Sequence, residues 1–224
     1  MPAPTDTPLD PLLPSAGSGR GRKVSISRDD IISAALTLIG PHRSVSTLSL
    51  REVAREAGVA PNSFYRHFHD MDELAIALIE MAGASLRKII GEARHRASLE
   101  RSVVRSSIEA FMEQLDADDK LLHMLLREGT AGSEAFKQAV EKQLAYFEEE
   151  LQVDLARLAA YNKTGLYDPA LTAKAITRLV FAIGATAMDL PKEKRAEVTE
   201  QLTIMVRMIV VGTQTMATSD KVRM

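Results

Sequence analysis

Apolar residues recur every three to four positions through most of this chain, and capping signals rather than strict alternation break the recurrence. Ile31, Ala34, Ala35, Leu38 and Ile39 form a first stripe, opened by Ser27 with Asp30 and closed by Gly40-Pro41. That spacing predicts a helix with one buried face. A hydroxyl followed three residues later by an acid caps its start. Leu50, Val53, Ala54 and Ala57 form a shorter stripe behind Ser49 and Glu52. Gly58 ends it, because glycine enters the left-handed conformation past a helix end at least steric cost. Pro61 suits the first turn of a third helix, where its missing N–H costs nothing. This helix must be short, since Asp70 with Glu73 opens a fourth that runs to about Arg96. Leu74, Ala77, Leu78, Met81, Leu86, Ile89 and Ile90 face inward along it, and Gly83 and Gly91 weaken it.

Further amphipathic segments follow at 100–116 and 118–128, then a loop from Gly129 to Gly132. Ser133 caps a helix of roughly 28 residues carrying Phe136, Val140, Leu144, Phe147, Leu151, Leu155 and Leu158 at helical spacing. Asp168-Pro169 opens another through Met188, and Pro191 opens the last, which continues to about Met216.

Thr47 to Phe68 is the stretch with an evident use. Two short helices joined by a tight Gly turn form the helix-turn-helix pattern, in which the first helix crosses a DNA backbone and the second enters the major groove. A plain helical hairpin would share the spacing, but the paired capping boxes, Gly58 and a non-acidic outer face favour DNA. Asn62, Ser63, Tyr65, Arg66 and His67 are the outward positions of the second helix, behind Ala60 and Pro61 at its start. Asn pairs with adenine, Ser with several edges, and Arg with guanine or phosphate. Thr47, Ser49 and Arg51 stand at the mouth of the first helix, where hydroxyls, free N–H groups and the dipole favour an anion. Arg51 alternatively pairs with a nearby Glu, and Arg43 is a loose surface charge or a phosphate contact. His67 is DNA-facing or capping; its spacing from His69 does not suit a metal.

Composition narrows the picture. The chain has 224 residues, 46% hydrophobic and only 4% aromatic, with no Cys. Ala, Leu, Glu, Arg and Lys dominate, which favours an all-α protein. Without Cys there is no disulfide, thiolate nucleophile or Cys-based zinc site. No signal peptide stands out, and no apolar run reaches the roughly 18 residues of a membrane span, so a cytoplasmic protein without a membrane role is expected. Net charge is −2, yet residues 20–70 carry eight Lys/Arg against five Asp/Glu, so the positive excess coincides with the motif. Residues 1–19 hold five of the nine Pro and should be disordered. Arg20, Arg22 and Lys23 form a basic arm, either a minor-groove contact or a solvated linker. Gly17, Gly19 and Gly21 follow no strand and do not make a phosphate loop. No catalytic set, cofactor motif or metal cluster is apparent, so no enzyme is expected.

The block Ala57-Gly58-Val59, then Phe64-Tyr65-Arg66-His67-Phe68, then Asp72-Glu73-Leu74, resembles the DNA-binding domain of TetR-type repressors. Leu50 to Gly58, Ser63 to Phe68 and Leu125-Leu126-Arg127-Glu128 resemble most closely the FabR and DesT branch, which represses unsaturated fatty-acid synthesis. Met71 departs from the pattern: many relatives carry a phosphate-touching Lys there. That contact must be absent or supplied elsewhere, for example by the backbone N–H groups of the same helix start.

The resemblance implies an all-α fold of about nine helices. A tail with the basic arm covers 1–24, a three-helix helix-turn-helix domain 25–70, an effector-binding and dimerisation domain 71–217, and a frayed end 218–224. It implies a homodimer on a palindromic operator and, as effector, a long-chain acyl thioester linked to CoA or acyl carrier protein. Arg105, Phe111, His123, Arg127 and Phe147 are the candidate effector contacts. The three polar ones read first as structural residues with internal partners and only second as ligand anchors. The last two helices, with Ala182, Gly184, Ala185, Ala187 and Gly212 beside Ile183, Leu202, Met205, Ile209 and Val210, suit a four-helix bundle with a twin. Three alternatives stay open: an efflux-gene repressor with a promiscuous drug pocket, an acyl-binding carrier or thioester hydrolase, and a helical adaptor.

Overall fold

The computed structural model describes residues 26–40, 43–97, 103–117 and 120–223. The basic arm and the tail before it lie outside them. Among the described residues there are nine α-helices, one short 3-10 turn and no strand.

Ser27 and Asp30 cap α1, Arg28–Leu38, in a reciprocal box. The 3-10 turn Val45–Thr47 leads into α2, Leu50–Glu56, whose start is boxed by Ser49 and Glu52. Gly58 then turns the chain at φ +68. Next comes α3, Pro61–Phe64, with Pro61 in its first turn. Ile31, Val53, Phe64 and Phe68 make the centre of this small unit, all nearly sealed from solvent. The Arg28 guanidinium lies over the Phe68 ring at 4.8 Å.

The long α4, Met71–Arg96, leaves this unit and enters the larger one. It packs on α5, Val103–Asp116, on α6, Lys120–Ala131, and on α7, Glu134–Tyr161. Then α8, Pro169–Ala187, and α9, Lys192–Arg223, complete the chain. Phe181 joins Phe111 and Phe147 edge-on, with centroids 5.6 and 5.2 Å away, where α5, α7 and α8 meet. Buried Arg195 fastens the α8–α9 corner by donating to the carbonyls of Leu115, Met188 and Leu190.

Several expectations need correction. Gly129 lies inside α6, so the loop is confined to the residues around Gly132. The last helix continues to Arg223, past Met216, and 218–223 are helical rather than frayed. No uninterrupted apolar run of membrane length is found among the described residues, but α8 is long and apolar enough on average to cross a bilayer. It packs against α7 and α9, and Lys174 and Arg178 interrupt it.

Candidate nucleic-acid interface and internal cavity

In the small unit, Tyr65 is 60% exposed and Phe64, one residue earlier, is fully buried. Ala60, Pro61, Asn62 and Arg66 are exposed, while Ser63 and His67 are half-buried. The helix stops at Phe64, so Tyr65, Arg66 and His67 stand on the tight turn after α3, not on α3 itself. Successive short-range bonds hold that turn, including His67 N–H to the Phe64 carbonyl at 2.9 Å. The result is one polar, non-acidic ridge seated on the Phe64–Phe68 pair.

At the mouth of α2 the groups are more engaged than expected. The Ser49 hydroxyl both accepts from Glu52 N–H and donates to its carboxylate. The Thr47 hydroxyl donates to the Ser44 carbonyl and accepts from Arg43 Nε. Arg43 is therefore not a loose charge: its Nη2 also meets the Glu52 carboxylate at 3.2 Å. Those bonds, the Ser49 hydroxyl foremost, hold the Glu52 carboxyl below the usual carboxylate range. With Glu52 taken by Arg43, Arg51 is exposed and has no ion pair among the described residues. The start of α4 offers less than the sequence suggested as a replacement for the missing Lys. Asp70 accepts from Glu73 N–H, and the Glu73 carboxylate turns back to His69 N–H.

In the large unit a cavity of about 180 Å³ opens between α4, α5, α7, α8 and α9. Phe111, Phe147, Phe181, Ile108, Leu155 and Val206 supply its apolar wall. At one end Arg94 Nε meets Asp154 at 2.7 Å, with Glu150 at 3.8 Å from Nη2. Thr177, Asn162 and Gln214 add neutral polar groups. Two of the five candidate contacts, Phe111 and Phe147, line this space; the other three do not. Arg105 bridges α5 to α9 through a two-pronged pair with Glu200, both bonds 2.7 Å, and reaches Glu109. These bonds, Glu200 first, raise its pKa. Buried His123 places Nε2 3.4 Å from the Leu115 carbonyl. Arg127 is half-buried on α6. Sequence reasoning missed Arg94 and Asp154, whose pairing joins residues 60 apart.

The small residues assigned to a twin interface divide. Gly184 and Ala187 are buried within the protomer, and Gly184 faces the Phe111 ring. Exposed apolar surface is carried instead by Ile204, Met205, Met208, Val211 and Met216 on α9, with Leu171 on α8. Ile204, Met208 and Val211 recur at helical spacing and form one unpartnered stripe.

A small three-helix head with an exposed polar ridge, joined by a shared long helix to a helical body with an apolar cavity, is the architecture of a DNA-binding regulator. Residues 31–78 match the model for "Bacterial regulatory proteins, tetR family", and residues 100–212 match "Tetracyclin repressor-like, C-terminal domain". The chain belongs to the TetR family of transcriptional regulators. Among solved structures it is similar to a TetR-family transcriptional regulator from Rhodococcus sp., at 21% identity and TM-score 0.66, covering 82% of this chain and 97% of that one. It is also similar to the fatty acid degradation regulator FadR from Bacillus halodurans, at 18% identity and TM-score 0.57, covering 82% and 94%. The multidrug binding protein EbrR, complexed with imidazole, shares 21% identity at TM-score 0.59, again covering 82% and 94%. These likenesses concern the fold; the fatty-acid branch is not singled out by them.

Proposed function

We propose that this protein is a homodimeric repressor that binds a palindromic operator and is regulated by a long-chain acyl thioester, linked to CoA or acyl carrier protein. Its targets on this reading are genes of unsaturated fatty-acid synthesis. Thr47, Ser49 and Arg51 approach phosphates, and Ala60 to Ser63 with Tyr65 to His67 face the groove. The last two helices pair with those of a twin, and their exposed apolar stripe supports this.

The cavity chemistry carries the effector reading. Its wall is apolar, and Arg94, the one cation among the described lining residues, is already matched by Asp154. A buried pair of this kind leaves no uncompensated charge to recruit an ionic drug, so an uncharged chain is the better guest. The volume of about 180 Å³ is small for one. An engineered cavity of about 150 Å³ holds benzene, so a long chain must part the walls. A ligand that fits only the parted state shifts the population towards it, which is how such a guest would alter operator affinity. The thioester head and its phosphates remain outside.

One observation favours a second reading. Three Phe rings meet at the cavity wall, which suits flat aromatic compounds, and EbrR is described as a multidrug binding protein. A thermal-shift screen separates the two. Oleoyl-CoA should raise Tm and aromatic cations should not; the reverse result transfers the protein to efflux control. A salt-dependent, sequence-specific gel shift with DNA selected from a random pool tests the repressor reading itself. Its absence would return the carrier, hydrolase and adaptor alternatives.

A further inference from the structure

Glu128 is one of the points at which α6 of the cavity-bearing body grips the DNA-binding head, Lys120 Nζ donating to the Leu36 carbonyl being another. Glu128 is fully buried. Its Oε1 accepts from the Ser44 hydroxyl at 2.7 Å and from Val45 N–H at 2.9 Å, both at the start of the 3-10 turn. Oε2 is equally buried and has no hydrogen-bond partner among the described residues. Gly132 leaves room for it: a Cβ there would stand 2.8 Å from Oε2. The 3-10 turn is in turn tied to α2, because Arg43 links Thr47 to Glu52, the acid of the α2 capping box.

The other end of the connection is the cavity wall. The Phe111 ring lines the cavity and presses on Gly184, where a Cβ would lie 2.6 Å from the ring and 3.6 Å from Leu126 Cδ2. Leu126 is two residues before Glu128 on the same helix. Phe111 thus backs onto α8 at Gly184, beside Leu126 of α6, so a guest that pushes the ring away from the cavity presses on this packed α8–α6 contact.

We infer that Glu128 is a positioning residue that transmits the state of the cavity to the DNA-binding head. This rests on the effector-cavity reading above. Displacement of Phe111 moves α6, and the two bonds from Oε1 carry the 3-10 turn and the α2 start with it. A buried polar atom without a partner is costly, and such an atom in a native fold calls for an explanation. Here it supplies one: a carboxylate with one saturated oxygen and one bare oxygen has a second way of being satisfied when α6 shifts. That gives the contact two discrete arrangements, which coupling between sites requires.

The test is a double-mutant cycle on the full-length protein, without any ligand. Gly184→Ala crowds the contact between Phe111, α8 and Leu126 from the α8 side, and so perturbs the same connection without a guest. It should shift the Kd for the selected operator by about fivefold or more, the lower end of common allosteric couplings. In a Glu128→Ala background the same substitution should shift Kd by less than about twofold. Hydrogen exchange over residues 44–53 repeats the comparison without DNA: Gly184→Ala changes protection there only when Glu128 is present. If Gly184→Ala fails to fold, Phe111→Leu relaxes the same wall and takes its place. A merely structural glutamate would weaken the head yet leave the Gly184→Ala effect intact. Equal shifts in both backgrounds, or none in either, overturn the inference. Failure of oleoyl-CoA to bind removes only the identity of the guest, and failure to select DNA removes only the operator reading; the exchange comparison still decides the role of Glu128.

Discussion

Phe64 and Tyr65 are chemically alike neighbours whose truncation should have opposite consequences. Tyr65 keeps 60% of its surface in solvent and touches Phe64 edge-on, centroids 5.8 Å apart. Taking roughly 200 Å² for the ring, about 80 Å² is covered, worth at most about 2 kcal/mol. The unfolded chain covers part of that area too, so about 1 kcal/mol is the working figure for Tyr65→Ala. A head of ordinary stability survives this loss. Operator affinity should not, because a lost base contact costs about 1–3 kcal/mol per site and a dimer loses it twice. The expected outcome is a Kd at least about tenfold weaker at fixed salt, with an unchanged sedimentation coefficient and a small drop in Tm. Phe64→Ala removes a fully buried ring, costs about 3–5 kcal/mol, and should melt the head and lose DNA binding together with structure. Fluorescence anisotropy with the selected operator, alongside melting curves for both variants, makes the comparison. Tyr65→Ala binding within about twofold of the parent would refute the assignment of the ridge.

The remaining expectations concern other parts of the molecule. Ile204→Asp with Met208→Asp places charge on the exposed α9 stripe and should convert dimer to monomer in sedimentation, without loss of helical signal. Asp30 and Glu52 both sit below the usual carboxylate range, chiefly through bonds from Ser27 and Ser49. Because their folded pKa values are depressed, the stabilisation is complete above the unfolded pKa values and disappears as pH falls through the folded ones. Thermal melts should therefore lose Tm on acidification below the ordinary carboxylate range, less steeply in Glu52→Gln. Arg105→Ala should leave binding of oleoyl-CoA unchanged in calorimetry, because its guanidinium is committed to Glu200 and Glu109 and not to the cavity.

The starts of helices were legible because caps are local chemistry. Ser27, Ser49, Asp70, Ser133 and Asp168 all cap as their spacing suggested. What failed was glycine whose reason lies far along the chain. Gly129 looked like a loop residue, but it is helical and faces α7, where a Cβ would stand 3.0 Å from Val140. Gly184 looked like part of a twin interface, but it makes room for Phe111. Charges failed in the same way. Arg43 and Glu52 lie nine positions apart and Arg105 and Glu200 ninety-five, and no periodicity pairs them. Glu128 did leave a trace. It follows Leu122 and Leu125 at helical spacing, so an acid occupies a place on the apolar stripe. A carboxylate there needs a partner, and the sequence cannot say that the partner is a backbone N–H some eighty residues earlier.

The α4 helix connects the cavity to the head covalently, and its fastening determines how it moves. Arg94 pairs with Asp154, Arg87 with Glu150 and Gln143, and Lys142 with Glu80, so α4 is tied to α7 along much of its length. At Gly83 the Gln143 side chain fills the space a Cβ would need, which keeps the two helices close. The pair should therefore tilt as one body. Its 26 residues span about 39 Å at the usual rise, so a tilt of about 5° about Arg94 swings the Met71 end by about 3 Å. Two such heads must meet half-sites about 34 Å apart on a stiff duplex, and a change of several Å in their separation is enough to spoil the fit. The chain has no Cys, so Ser33→Cys on the exposed face of α1 gives one spin label per head. Pulsed electron–electron distance measurements should show the interlabel distance change by several Å when oleoyl-CoA is added. A ligand that binds while leaving that distribution unchanged would show that α4 does not act as a lever, and coupling would then have to be sought in the rigidity of the heads rather than in their spacing.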